Sequence, residues 1–146
     1  METNGSVLEA NKKTARQAHE AFEKNDVTLL DKITDPGYKI HFPGQPKELN
    51  YEESKKLQAD YNAAFPDAKI TIEQQIAERD MVLSRLTYTG THKGKMQGIA
   101  PTGKSIKVTG MSLQRFEKGK IVEEWVEFDM LGMLQQIGAV TELANA

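Results

Sequence analysis

Apolar positions along this chain change their spacing as it proceeds, from helical intervals to strict alternation. Residues 7 to 24 carry Leu8, Ala15, Ala18 and Phe22 at roughly helical spacing, which predicts an amphipathic helix. Asp26 can cap a short second helix with Val27, Leu30 and Ile33 on its inner side, and Pro36-Gly37 ends it. "YKIHF" at 38–42 alternates and predicts a strand on which His41 points away from Tyr38, Ile40 and Phe42. Asn50 followed by Glu53 reads as a capping box. The helix it opens runs to about Ala64, with Leu57, Tyr61 and Ala64 on one side. "FPDAK" breaks it, and from there to residue 129 the period is two. Ile70, Ile72 and Ile76 alternate with Thr71, Glu73 and Gln75, and a second strand runs from Met81 to about Thr91. "HKGKMQGIAPTGK" is a loop, "SIKVTGMSLQRF" and "KIVEEWVEF" are long strands, and a short helix is expected around "MLGMLQQIG".

Helices first and strands afterwards predict an α+β fold, with three N-terminal helices packed against a curved antiparallel sheet. The strands reach about ten residues against a usual five or six, so they must twist and coil around a concavity. A concavity closed by helices is a natural small-molecule pocket. No repeat, low-complexity tract or linker divides the chain, and one domain over 1–146 is expected.

The last hairpin decides what that concavity contains. A connection Glu117-Lys118-Gly119 suits a type I turn followed by a left-handed glycine. It pairs Phe116 with Lys120, Gln114 with Val122, Ser112 with Glu124 and Gly110 with Val126. One face then holds Ile106, Val108, Gly110, Ser112, Gln114, Val122, Glu124, Val126 and Phe128. The other holds Lys107, Thr109, Met111, Leu113, Arg115, Ile121, Glu123, Trp125 and Glu127, and its Trp125, Met111 and Leu113 suit a subunit interface. Glu124 therefore stands among apolar side chains, with a hydroxyl and an amide beside it. Desolvation of such a carboxyl raises its pKa and fits it for acid or base work near neutrality. The competing reading is an ion pair with Arg85 on an adjacent strand.

Composition narrows the alternatives. With 19 basic and 21 acidic residues intermixed, net charge −2, there is no basic stripe for nucleic acid or an anionic membrane. Cysteine is absent, so disulfides and thiol nucleophiles are excluded. The first residues lack the apolar run of a signal peptide, and a cytoplasmic protein is expected. His19 and Glu23 lie one helical turn apart, but two ligands do not make a zinc site. "GKMQGIAPTGK" does not match a phosphate-binding loop, because a strand follows it. Tyr38, Tyr61 and Tyr88 are expected in the core or in a cavity wall.

"GTH" at 90–92, "GIAPTGK" at 98–104, "FEKGKIVEEW" at 116–125 and "DMLGMLQQIG" at 129–138 together resemble the SnoaL-like polyketide cyclases of the nuclear-transport-factor-two-like superfamily. Weaker likeness runs through "AFEKNDVTLLDKITDPGY" and "FPDAKITIE". The resemblance implies a cone-shaped barrel with an internal cavity, assembled as a homodimer or homotetramer. It also implies intramolecular aldol cyclisation without metal or cofactor, by an aspartate on the last strand. That aspartate aligns with Val126 here. A histidine of the characterised cyclase aligns with Glu124, and another with Ser112. Asp129 matches a family aspartate and is also placed to cap the terminal helix. Phe22 and Leu57 match cavity-lining positions. His92 matches a recurrent histidine, which can orient a substrate oxygen or tie the loop start to the backbone.

Two functional expectations follow. One is an enzyme acting on a small apolar carbonyl compound, with Glu124 as base, Ser112 and Gln114 holding oxygens, and Phe22, Tyr38, Leu57, Val126 and Phe128 shaping the pocket; Asp129 and His92 are further catalytic candidates. Isomerisation, dehydration and epoxide hydrolysis are related chemistries for the same fold. The other is a non-catalytic protein that holds a hydrophobic ligand.

Overall fold

A computed structural model describes residues 4–141. Helix α1 (Asn4–Lys24) is followed by α2 (Val27–Ile33), whose N-cap Asp26 accepts from Leu29 N at 3.1 Å. Strand β1 (Thr34–His41) begins where Pro36-Gly37 forbids more helix, and a two-residue β2 (Leu49–Asn50) leads into α3 (Tyr51–Ala64). The capping box of α3 is complete: Asn50 accepts from Glu53 N at 2.9 Å and Glu53 accepts from Asn50 N at 3.1 Å. Strands β3 (Lys69–Glu78), β4 (Met81–Thr91), β5 (Ser105–Glu117) and β6 (Lys120–Phe128) precede a short α4 (Met130–Gln136).

The strands form one sheet in the order β2-β1-β6-β5-β4-β3. The expectation of an antiparallel sheet needs one correction: β1 lies parallel to β6, with Ile40 beside Glu124 and His41 beside Trp125. A parallel neighbour requires a long crossover, and here nearly the whole intervening chain supplies it. The expected barrel is likewise a curved, open sheet, since β2 and β3 are its edges. Helices α1, α2 and α3 pack on the concave face, against β3 and β4, β1 and β6, and β1 and β2 respectively.

Two bulges set which side chains face inward. At the last hairpin the turn has two residues, Lys118 (φ 50°) and Gly119 (φ 76°), and Phe116 pairs with Ile121. Left alone, that turn would send Glu124 outward. An extra residue between Ile121 and Glu123 restores the parity, so Gln114 pairs with Glu124, Ser112 with Val126 and Gly110 with Phe128. The individual pairings expected from a three-residue loop are therefore displaced by two; Glu124, Val126 and Phe128 keep the expected inner face, whereas Ile121, expected on the outer one, precedes the bulge and faces inward beside Phe116. In β3 a register shift between Ile72 and Gln74 does the opposite. It turns Gln75 inward, where its Nε2 donates to Ser84 Oγ at 3.1 Å, and leaves Ile76 56% exposed.

The interior consists of two buried clusters. One groups Ala15, Ile33, Ile40, Val82, Phe116 and Ile121, and the other groups Tyr61, Phe65, Met96, Val108, Met133 and Ile137. Among the described residues no helix is long and apolar enough to cross a membrane.

Candidate active site

Between the two clusters lies a cavity of about 160 Å³. One buried water needs roughly 10–15 Å³ on the same measure, so this space exceeds a solvent defect by an order of magnitude. Its wall takes Phe22 from α1, Leu57 from α3, Tyr38 from β1, Ser112 and Gln114 from β5, and Glu124, Val126 and Phe128 from β6. Gly110 also lines it, and only a glycine fits there, because an added Cβ would lie 2.8 Å from Cβ of Phe128.

Glu124 is the polar centre of one end. Its Oε1 accepts from Tyr38 Oη at 2.8 Å and from Gln114 Nε2 at 3.2 Å, and its Oε2 accepts from Ser112 Oγ at 2.8 Å. An ionised carboxylate is acceptor-only, which fixes Gln114 with its NH₂ toward Glu124. The amide oxygen of Gln114 is left buried with no protein partner. Ser112 and Gln114 are each 1% exposed. These donors hold the carboxyl group in one orientation and leave a lone pair on Oε2 for a ligand. Burial pushes the Tyr38 phenol up, and the adjacent Glu124 charge adds to it, so Tyr38 remains a donor.

His19 completes this end and was not singled out by spacing as a pocket residue. It is buried on the inner side of α1, lines the cavity, and its Nε2 has no protein partner. Burial lowers its pKa, against a smaller raising effect of the Glu124 charge. It therefore presents a neutral imidazole at neutral pH. The signal available in the sequence was its helical spacing from Ala15 and Phe22, which puts it on the buried face. Ile70, Leu86 and Tyr88 from β3 and β4 also reach the wall.

Other candidates stand elsewhere. Arg85 pairs with Met111 on the convex face, so it does not neutralise Glu124. Arg115 instead bonds to Glu117 at 2.9 Å and Glu123 at 3.3 Å on that outer face. His41 points outward as expected, bonded to Glu123 at 2.8 Å and stacked on Trp125 at 5.3 Å. Asp129 is the N-cap of α4, accepting from Gly132 N at 2.8 Å, and does not line the cavity. His92 is wholly buried outside it. Its Nδ1 accepts from Thr102 N at 3.2 Å and its ring packs near Phe65, so it fastens the 93–104 loop. Among the described residues no cluster of three or more His, Cys, Asp or Glu is arranged to hold a metal.

The family model for SnoaL-like polyketide cyclase matches residues 12–137. Among solved structures, AclR, "a putative hydroxylase from Streptomyces galilaeus", is 26% identical with TM-score 0.84, over 94% of this chain and 86% of that one. IdmH, "a putative polyketide cyclase from Streptomyces antibioticus", is 29% identical with TM-score 0.80, over 88% and 98%. A "putative polyketide cyclase" from Acidithiobacillus ferrooxidans is 30% identical with TM-score 0.78, over 89% and 95%. Comparison with curated protein sequences returns no match. The family model spans most of α1, the other helices and the whole sheet, and so the chain belongs to the SnoaL-like polyketide cyclase family.

Proposed function

We propose that this chain is a small-molecule enzyme that moves a proton α to a carbonyl group, of the kind needed for intramolecular aldol cyclisation. The observation that carries this reading is a carboxylate in the wall of a largely apolar cavity, oriented by three side-chain donors. Glu124 takes the α-proton, and the resulting enolate carbon attacks a second carbonyl of the same molecule. The new alkoxide recovers the proton from Glu124, so product and substrate are isomers and the side chains alone handle the proton. Neutral His19 supplies a donor or acceptor on the facing helix as charge develops on the substrate. Phe22, Leu57, Val126 and Phe128 exclude water and shape the apolar part of the substrate. The neighbours' names include both cyclase and hydroxylase, so fold likeness does not select the reaction, and the proposal rests on the site.

A second reading is a non-catalytic carrier of a hydrophobic ligand. It is favoured by Val126, which stands where the resemblance expects the aspartate, and by the three donors already engaged on Glu124. Proton exchange separates the two. With a series of aryl alkyl ketones in D₂O, the enzyme reading expects wild-type protein to speed replacement of the α-hydrogen by deuterium well above the buffer rate. Binding of the ketones without faster exchange would make the chain a carrier.

A further inference from the structure

The cavity has a second polar end that the Glu124 chemistry does not use. Tyr61 of α3 and Tyr88 of β4 both line it. Both hydroxyls are buried and neither has a protein partner. Tyr61 is 5% exposed and sits edge-on to Phe42 and Phe128, at 5.6 and 6.4 Å. Tyr88 meets the edge of Phe65 at 6.1 Å. These are apolar surroundings, in which an unmade hydrogen bond is costly and a phenylalanine would pack as well. Tyr61 lies close enough to Tyr88 to add to the rise in the Tyr88 pKa that burial causes. Burial raises both pKa values, so each phenol keeps its proton and stays a donor.

The place of Tyr88 in the sheet sets this end apart from the base. Tyr88 pairs with Val108, whereas Glu124 pairs with Gln114. Six residues of β5 separate those two rungs, roughly 20 Å of strand. We infer that Tyr61 and Tyr88 form an oxygen-binding subsite, donating to a carbonyl or enolate oxygen at the end of the ligand remote from Glu124. The ligand is then an elongated molecule with an oxygen acceptor at each end and an apolar middle lying on Leu57, Val126 and Phe128. The inference rests on the cavity being a ligand site, but it does not require Glu124 to be a base.

Acetophenone and ethylbenzene have the same shape and differ in a carbonyl for a methylene, so together they isolate what a carbonyl oxygen adds to binding, and the double variant tests whether that contribution arises at this end. Affinities for both are measured by titration calorimetry on wild type and on the Tyr61→Phe/Tyr88→Phe double variant, with the infrared carbonyl stretch of bound acetophenone as a second readout. The variant is expected to bind acetophenone about tenfold more weakly, a loss in keeping with two modest hydrogen bonds, while ethylbenzene binding is unchanged. The carbonyl stretch, lowered in wild type, should return to its value in an apolar solvent. Equal loss for both probes would mean the rings only pack, and an unchanged stretch and affinity would mean the hydroxyls do not reach the ligand; either overturns the subsite while leaving the Glu124 chemistry standing. Failure of both probes to bind wild type would overturn the cavity as a ligand site, and the subsite with it.

Discussion

His19 is held in a setting that disfavours its charged form, and this ties the stability of the molecule to pH. Its pKa is lowered on folding from an ordinary 6.5, chiefly by burial. Above that value neither state carries the proton and the full stability is present. Below it the unfolded chain gains a proton that the folded chain resists, so stability is lost as pH falls. The unfolding free energy of wild type should therefore drop between pH 7 and pH 5 more steeply than that of His19→Gln, by up to about 1.4 kcal/mol per pH unit. Urea titrations at each pH check this, and equal slopes would show that His19 is protonated as easily folded as unfolded. At this scale the sequence was most informative where a polar residue broke an apolar pattern. Glu124, Ser112 and Gln114 could be grouped because alternation places them on one otherwise apolar face. His19 and Tyr88 come from other elements, and nothing local says that α1 and β4 close over the same space. Asp129 and His92 carry motif likeness, but their partners are backbone N–H groups a few residues away or across a loop.

The last hairpin shows how an element can be read correctly for an incomplete reason. A two-residue turn with both residues at positive φ is the type I′ geometry that prefers Asn-Gly. Lys-Gly is a poor version of that signal, and a bulge carries no residue signature of its own unless it needs glycine. The displacement by two is even, which is why the inward position of Glu124 survived. At β3 no even displacement intervened, and Ile76 came out on the surface. The turn geometry makes a pair of opposite expectations. Lys118→Asn should stabilise the fold by a few tenths of a kcal/mol, because asparagine tolerates the left-handed region. Gly119→Ala should destabilise it by about 1–2 kcal/mol from backbone strain alone, since open space surrounds its Cβ position. Chemical denaturation reads both, and a neutral Gly119→Ala would contradict the turn.

For the whole molecule, the layering of helices on a long-stranded sheet followed from the order and length of the elements. The parallel contact of β1 with β6 did not, because it joins segments more than eighty residues apart, for which alternation supplies no register. That contact matters to the site, since it brings Tyr38 to Glu124. The cavity is likewise a property of the assembled chain, and it gathers residues from three helices' worth of packing rather than from one motif. Its buried, unpartnered polar atoms on His19, Tyr61, Tyr88 and Gln114 are costs that a purely structural core would avoid. Natural chains retain such costs at functional sites.

In the proposed reaction Glu124 is the group that accepts the proton. The most direct measurement is the rate of α-deuterium exchange of a bound aryl alkyl ketone in Glu124→Gln relative to wild type, with ketone affinity measured alongside. The isosteric amide retains the shape and loses the base, so exchange should fall by roughly 10²-fold or more while affinity stays within a few-fold. Exchange at the wild-type rate in the folded, ketone-binding variant would contradict it.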